Sequence, residues 1–260
     1  MLLIPLVCLT LAASTQTLSP AERVARARAT YYTPTAGGLA SFHCDVVFDW
    51  KDLFTRLNGT PVADDDPFLR YLSSTHLSVT DDLHGNGVLE WSNTATPPED
   101  KAARAAQLKN GLQQMIGGFF ESWNEFVNGD MFPDPDRTLT VTATDTGYLL
   151  HSAAGDPVDE KFDSNMLLTE VHIAMKDADV VTHPKYVDTE HGRMISVIQA
   201  VSRTLPSGPS TELTIRMEYL PVSSFQIPSV MTVDVENIGV IRMKFTQCSV
   251  KTADAAPHKP

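Results

Sequence analysis

The sequence predicts an α+β protein in which a strongly curved antiparallel β-sheet, an incomplete barrel, wraps around one long amphipathic helix. A helical pattern of apolar residues extends over residues 97–128. The segments after this helix alternate apolar and polar residues, as half-buried strands do. Short turns, and no further helical patterns, separate these segments, so an antiparallel meander is favoured over a parallel sheet.

The long helix is predicted from the spacing of its apolar residues and from the residues at its ends. Between Leu108 and Val127, apolar residues recur every three or four positions and so share one helix face. Thr96 is a suitable N-cap, Pro97 suits the first helical position, and Gly129 suits the position after the C-cap. We therefore expect the helix to begin at Pro97 and to end just before Gly129.

The part of the chain before this helix is expected to contain short helices, a strand and a hairpin. Ser19 and Glu22 have the spacing of a capping box that opens a first helix. Residues 42–50 alternate apolar and polar side chains, which predicts a half-buried strand. Asp66-Pro67 can start a short helix. Another short helix is expected at 52–57, and the two strands of a hairpin at 77–81 and 88–91.

The part after the long helix is expected to form successive strands. Residues 131–137, with two prolines, read as a connector. His183-Pro184 is interpreted as a loop, because proline interrupts strand pairing. The predicted strands lie near residues 139–143, 148–151, 167–175, 194–201, 213–219, 231–235 and 241–245.

Composition and the amino-terminal residues bear on compartment and partners. The chain has 260 residues and a formal net charge of −12, and its basic residues are not densely clustered. Nucleic acids and anionic membrane surfaces are therefore not expected as partners. Residues 2–13 form an apolar run that is too short to span a bilayer and resembles the core of a secretory signal. We predict a signal peptide at 1–16, one domain at 17–252, a disordered tail at 253–260, and a periplasmic or secreted location.

Two cysteines, Cys44 and Cys248, would remain after signal cleavage. An even pair in an exported chain predicts one disulfide, and the alternative is two buried free thiols. Cys44 has the same strand parity as Phe42, whereas Cys248 does not have the parity of Phe245. A disulfide would therefore need a β-bulge or an edge position in one of the two strands.

The sequence contains none of the motifs sought for catalysis, metal binding or phosphate binding. H-E-x-x-H, C-x-x-C, G-x-S-x-G and the glycine-rich phosphate loops are absent. Asp159, Glu160 and Asp163 could form a carboxylate cluster, but a charged strand or turn explains them equally well. We therefore predict no catalytic residue, no metal ligand and no cofactor.

The aromatic face of the long helix is the best candidate for a binding site. Large apolar side chains lie on this face within about three turns. One interpretation is that they fill the core, and the other is that they line a cavity for an acyl chain. The candidate cavity residues are Met115, Phe119, Phe120, Trp123 and Phe126.

The order of these elements, together with short motifs, resembles the periplasmic lipoprotein-carrier (LolA/LolB-like) superfamily. The motifs are S-F-H-C-D-V-V-F at residues 41–48, F-Q-I-P-S at 225–229 and I-R-M-K-F at 241–245. In that superfamily an aromatic-X-X-Pro segment leads into a closing pair of strands near the carboxyl terminus. The resemblance implies an incomplete antiparallel barrel closed by helices, with an apolar cavity for lipid chains or lipoprotein acyl groups.

The predicted function is that of an exported, non-catalytic binding protein for lipid or lipoprotein acyl chains in the cell envelope. A transient envelope protein is a further expected partner. The alternative is a structural or interaction module of the envelope that has a filled core and no ligand. A hydrolase with an unrecognised site is the third interpretation, and it would require histidine and carboxylate groups that converge in a cleft.

Overall fold

The computed structural model describes residues 19–85, 87–128, 139–152, 156–236 and 239–253. The predicted signal peptide at 1–16, the connector at 131–137 and residues 254–260 of the predicted tail lie outside the described residues. The described part contains four α-helices, one 3₁₀ turn and twelve β-strands.

The helices are α1 (Pro20–Arg28), α2 (Trp50–Asn58), α3 (Pro67–Ser73) and α4 (Ala102–Asn128). The 3₁₀ turn, Glu99–Lys101, directly precedes α4. The strands are β1 (Leu39–Phe48), β2 (His76–Asp81), β3 (Val88–Ser92), β4 (Leu139–Thr144), β5 (Gly147–Ser152), β6 (Val158–Asp163), β7 (Leu168–Ala174), β8 (Ala178–Thr189), β9 (Gly192–Thr204), β10 (Ser210–Val222), β11 (Phe225–Val235) and β12 (Gly239–Thr252).

The described strands form a single antiparallel sheet in the order β3-β2-β1-β12-β11-β10-β9-β8-β7-β6-β5-β4. Strands β4 to β12 follow one another as a meander, and β1 then pairs with β12. The end strands β3 and β4 do not pair with each other, so the sheet is not closed. The α+β class and the antiparallel meander predicted from the sequence are confirmed.

Helix α4 contacts strands that lie far apart in the sheet order. The Nε1 of Trp123 donates a hydrogen bond to the hydroxyl of Tyr219 on β10 at 3.2 Å. The Nδ2 of Asn124 donates to Oδ1 of Asp81 on β2 at 3.0 Å, and burial raises the pKa of that aspartate to about 6. One helix therefore bonds to both sides of the β1–β12 pair, which is consistent with a sheet that curves around α4.

The predicted start of the long helix is wrong by five residues. Helix α4 begins at Ala102 and not at Pro97, and Thr96 does not cap it. Pro98 stands at the N-cap of the 3₁₀ turn with an extended backbone (φ −51°, ψ 139°), and no side chain caps that turn. Thr96 and Pro97 each precede a proline, which disfavours helical backbone angles at both residues.

The interpretation of His183-Pro184 as a loop is also wrong, because both residues lie within β8. Pro184 pairs with Ile198 of β9. The pairing of β8 with β7 ends at Thr182, so beyond that residue β8 is hydrogen-bonded to β9 alone. A proline is tolerated there, because its missing N–H is not needed by a second neighbouring strand.

Local hydrogen bonds form the predicted capping box of α1, and a long-range hydrogen bond docks the residues that follow the helix. The backbone N–H of Ser19 donates to Glu22 Oε2 at 2.7 Å, and the N–H of Glu22 donates to Ser19 Oγ at 3.3 Å, which confirms the capping box. After α1, the hydroxyl of Tyr31 accepts a hydrogen bond from the N–H of Leu168 on β7 at 2.8 Å. This contact fixes the end of α1 on the central part of the sheet.

Cys44 and Cys248 form a disulfide that joins β1 to β12. His43 pairs with Ser249 and Asp45 pairs with Thr246, so one residue of β1 stands opposite two residues of β12. The extra residue, Gln247, has a positive φ of 50°. The bulge shifts the parity of β12, which explains how Cys248 reaches Cys44. The predicted pairing is confirmed, and of the two predicted ways to reach it, a bulge or an edge position, the structure shows the bulge.

Replacing both bridge cysteines by serine should lower the free energy of unfolding. The bridge joins residues 204 positions apart. In the chain-entropy model such a cross-link contributes up to about 5 kcal/mol. Urea unfolding of the oxidised protein and of Cys44→Ser/Cys248→Ser measures the difference, with thiol titration of the oxidised sample as the control. Equal unfolding midpoints at equal slopes would contradict a stabilising role for the bridge.

Candidate functional site

The aromatic rings of α4 pack against β1 and β12. The Phe120 ring centroid lies 5.4 Å from that of Phe42 on β1 and 5.7 Å from that of Phe245 on β12. Trp123 makes an edge contact with Phe120 at 6.0 Å. The side chains of Phe120 and Trp123 are fully buried. These distances and angles are typical of aromatic packing in a core.

All five candidate cavity residues lie on the buried side of α4, with different degrees of burial. Phe119, Phe120, Trp123 and Phe126 are buried and belong to the main core, and Met115 is half-buried against it. In addition, a Cβ on Gly87 would lie 2.5 Å from the ring of Phe120, so the loop before β3 is in close contact with that ring. Within the described part, Phe120 and Trp123 therefore act as core residues.

Tyr219, at the end of the strand predicted at 213–219, is a polar contact of the aromatic face to which the sequence analysis assigned no role. Its hydroxyl accepts the hydrogen bond from Trp123 and donates one to the carbonyl of Ile195 on β9 at 2.5 Å. Burial raises the pKa of Tyr219. The hydroxyl thus connects α4, β10 and β9 on the face of the sheet that contacts α4.

A row of half-buried side chains crosses five strands on the face of the sheet that contacts α4. Strand register places them side by side, each pairing with the next. The members on β9 and β10 have the parity of the buried Ile198 and Ile215 on the same strands, so the row lies on the buried face of the sheet. We call these residues the apolar row: Val171, Thr182, Ala200, Leu213 and Val235.

The half-burial of the apolar row means that part of this face remains accessible to solvent. The neighbouring positions on the same face, Ile198, Ile215 and Val233, are less than one tenth exposed. Ala200 and Leu213 lie two residues further along their strands and are half-buried. The apolar surface of the sheet therefore continues past the buried positions, where Val171, Leu213 and Val235 pack against the core and keep part of their surface exposed.

Glu160 lies at one end of the apolar row, where it pairs with Val171 across β6 and β7. The residue is 6% exposed, and its Oε2 has no hydrogen-bond partner among the described residues. Burial, with a smaller contribution from the carboxylate of Glu125 on α4, raises the pKa of Glu160 to about 8. At pH 7 this side chain is therefore mainly a neutral acid that can donate a hydrogen bond.

The carboxylate cluster considered from the sequence is not assembled. Asp159 and Glu160 are adjacent in β6 and so face opposite sides of the sheet. On the outer face, Asp159 pairs with Nδ1 of His151 at 2.6 Å. Asp163 caps a turn, where its Oδ1 accepts from the N–H of Leu167 at 2.8 Å. Of the three, Glu160 alone lies on the face of the sheet that contacts α4.

A pair of tyrosines, the buried Tyr31 and the half-buried Tyr186, lies close to Glu160. The rings of Tyr31 and Tyr186 meet edge to face, with centroids 5.1 Å apart. Burial is the main cause that raises the pKa of Tyr186, and the charge of Glu160 contributes to the same shift. The face of the sheet that contacts α4 therefore contains a polar region near Glu160 that the sequence prediction did not identify.

Metal and membrane features were also sought in the described part of the chain. No group of three or more His, Cys, Asp or Glu side chains there could hold a metal ion. Among the helices described, none has both the length and the apolar content of a membrane span. On the outer face, His172 pairs with Asp179 at 2.6 Å, and it stands opposite Asp159 of the His151–Asp159 pair.

No protein-family model, no curated protein and no solved structure matches this chain. The resemblance to the LolA/LolB-like superfamily therefore stays a prediction that is based on the order of elements and on short motifs. The function proposed below is based on the apolar row and on Glu160, on the face of the sheet that contacts α4.

Replacing Glu160 by glutamine should make stability less dependent on pH. The folded pKa of about 8 exceeds the ordinary value of 4.5, so the folded state binds the proton more tightly. This contribution to stability is complete below the ordinary pKa and is lost as pH rises through about 8. Between pH 5 and pH 9, the free energy of unfolding of the wild type should therefore fall by about 2–4 kcal/mol more than that of Glu160→Gln.

Urea unfolding of both proteins at these two pH values measures the difference. Glu212→Gln on β10 is the matched control, since Glu212 is exposed. Parallel pH profiles for the wild type and Glu160→Gln would mean that Glu160 is not the group responsible.

Proposed function

We propose that the chain is an exported, non-catalytic binding protein for lipid or lipoprotein acyl chains in the cell envelope. In this proposal the sheet is an incomplete barrel around α4, as in the LolA/LolB-like superfamily. The ligand chain lies along the apolar row, between the concave face and the helix. The single observation that carries the proposal is the half-buried apolar row beside a fully packed core.

The dimensions of the apolar row suit an acyl chain. Adjacent strands lie about 4.8 Å apart, so five strands give a row about 19 Å long. Each buried methylene contributes about 0.8 kcal/mol, so burial of ten would contribute about 8 kcal/mol before the cost of ordering the chain. A net affinity in the micromolar range is expected for a ligand of this kind.

Glu160 would supply the polar contact at the end of the ligand. As a neutral acid it donates a hydrogen bond, and its neighbour Val171 belongs to the apolar row. A carbonyl or ester oxygen of a lipid head region is a suitable acceptor. Such a hydrogen bond would satisfy the Oε2 atom, which otherwise has no partner among the described residues.

A periplasmic or secreted location is part of the proposal. An apolar run of the secretory type is present in the sequence at residues 2–13. The disulfide between Cys44 and Cys248 supports an oxidising compartment, since such bonds persist mainly in exported proteins.

A second candidate function is a structural or interaction module that binds no lipid. The burial of Phe120 and Trp123 favours it, because two of the predicted cavity residues are fully buried in ring contacts. In this candidate the apolar row is a partly exposed edge of the core. Direct binding measurements separate the two candidates.

Binding of a fluorescent fatty acid, cis-parinaric acid, should be lost when the apolar row is blocked. Ala200→Trp places a large ring on the concave face, and we expect it to weaken binding at least tenfold. Val201→Trp is the matched control, since Val201 is the next residue of β9, is 37% exposed and faces the other side of the sheet. Fluorescence titration of the three proteins measures the affinities.

Two outcomes would contradict the proposal. One is that the wild type fails to bind the probe, which would favour the structural module. The other is that both tryptophan variants bind as the wild type does, which would place the bound probe away from the apolar row. Far-ultraviolet circular dichroism confirms that each variant is folded.

A further inference from the structure

A cleft of about 970 Å³ lies between the helices α2 and α3 and the outer face of β1 and β12. Val47 of β1 and Lys244 of β12 pair in register and form part of its floor. Arg56 of α2 and Arg70 of α3 line its walls. None of the five candidate cavity residues lines this cleft, so it is separate from the aromatic face of α4.

The cleft has cationic side chains that are not neutralised by neighbours. Arg70 and Lys244 form no ion pair with any residue that the structure describes. The nearest carboxylate oxygen to Arg242 belongs to Glu218 and is 3.9 Å away, at the limit of an ion pair. Five Lys or Arg side chains and four Asp side chains line the cleft, so it has an excess of one positive charge in a chain whose formal net charge is −12.

The remaining cations of the cleft are already paired. Lys51 contacts Asp64 at 2.5 Å, and Arg56 contacts Asp52 on its own helix. These pairs compensate Asp52 and Asp64. Two further carboxylates line the cleft: Asp45, which lies 3.5 Å from Nε2 of His76, and Asp49, whose side chain caps α2. An incoming acidic group would therefore meet Arg70, Arg242 and Lys244.

The floor of the cleft also offers an apolar contact. Val47 is 47% exposed, which is high for a valine in the interior of a sheet strand. It lies next to Lys244 across the β1–β12 pair. The cleft therefore combines an exposed apolar side chain with cations on its floor and wall.

From this arrangement we infer that the cleft is a docking site for an acidic peptide segment of a partner protein. Carboxylates of the segment pair with Arg70, Arg242 and Lys244, and one apolar side chain lies on Val47. The guanidinium groups suit carboxylates, because they donate two parallel hydrogen bonds. This inference is independent of the proposed lipid binding.

Size and charge favour a peptide over a single ion or a membrane surface. The volume is at the upper end of the range for small-molecule pockets, which is large for one inorganic anion. An anionic bilayer would approach the whole acidic surface of a chain with a net charge of −12, including Asp64, which is 85% exposed at the cleft. A short segment avoids this repulsion.

The test uses fluorescence anisotropy with a fluorescein-labelled octapeptide that contains four Glu residues, a central Val, and Gly and Ser elsewhere. We expect saturable binding to the full chain at low salt, and at least tenfold weaker binding to Arg70→Gln/Lys244→Gln. The control variant is Arg203→Gln/Arg216→Gln. It removes the same charge from exposed positions of β9 and β10 outside the cleft. The control peptide has Gln in place of Glu.

A second variant, Val47→Asp, tests the floor of the cleft. It introduces a negative charge beside Lys244 and should weaken peptide binding by a similar factor, without altering the buried core. The inference is overturned if the acidic and Gln peptides bind alike, or if the two charge variants lose affinity equally. It is also overturned if phosphatidylglycerol vesicles, but not the peptide, bind in a manner that depends on Arg70 and Lys244.

Discussion

The packing of α4 against the first and last strands is the interaction on which the rest of the fold depends. Phe120 contacts Phe42 on β1 and Phe245 on β12, so one ring joins strands from opposite ends of the described chain. The disulfide between Cys44 and Cys248 links the same two strands covalently. The pairing of β1 with β12 is therefore supported by hydrogen bonds, aromatic packing and a cross-link. The meander from β4 to β12 extends the sheet from this point.

Local sequence signals predicted much of this fold, and non-local pairing explains the errors. The Ser19 cap and the alternation of the later strands depend on residues close in sequence, and the structure confirms them. The start of α4 was misplaced, because consecutive prolines at 97 and 98 outweigh a good N-cap at Thr96. Pro184 was misassigned to a loop, because its place in β8 depends on where the β7 pairing ends. That endpoint cannot be read from the neighbouring sequence.

The candidate site was predicted less well, for a physical reason. The helical period correctly placed Trp123 and Phe120 on the buried face, but burial in a core and exposure to a cavity produce the same pattern. Ala200 and Leu213 alternate in the same way as core residues, and their half-burial depends on how far α4 and the core extend over the sheet. Because successive residues of a strand face opposite sides of the sheet, the sequence alone could have shown that Asp159 and Glu160 do not form a cluster. The burial of Glu160, in contrast, depends on its tertiary surroundings.

The most direct test of the proposed function is native mass spectrometry of the protein exported from an expressing cell and purified gently, with organic extraction of the same sample. The proposed function predicts a stoichiometric lipid or acyl species that dissociates on extraction, because the apolar row is accessible beside a packed core. A clean mass of the polypeptide alone, with no extractable lipid above the level in a control protein, would contradict it. The half-exposed apolar face would then be the edge of a structural module.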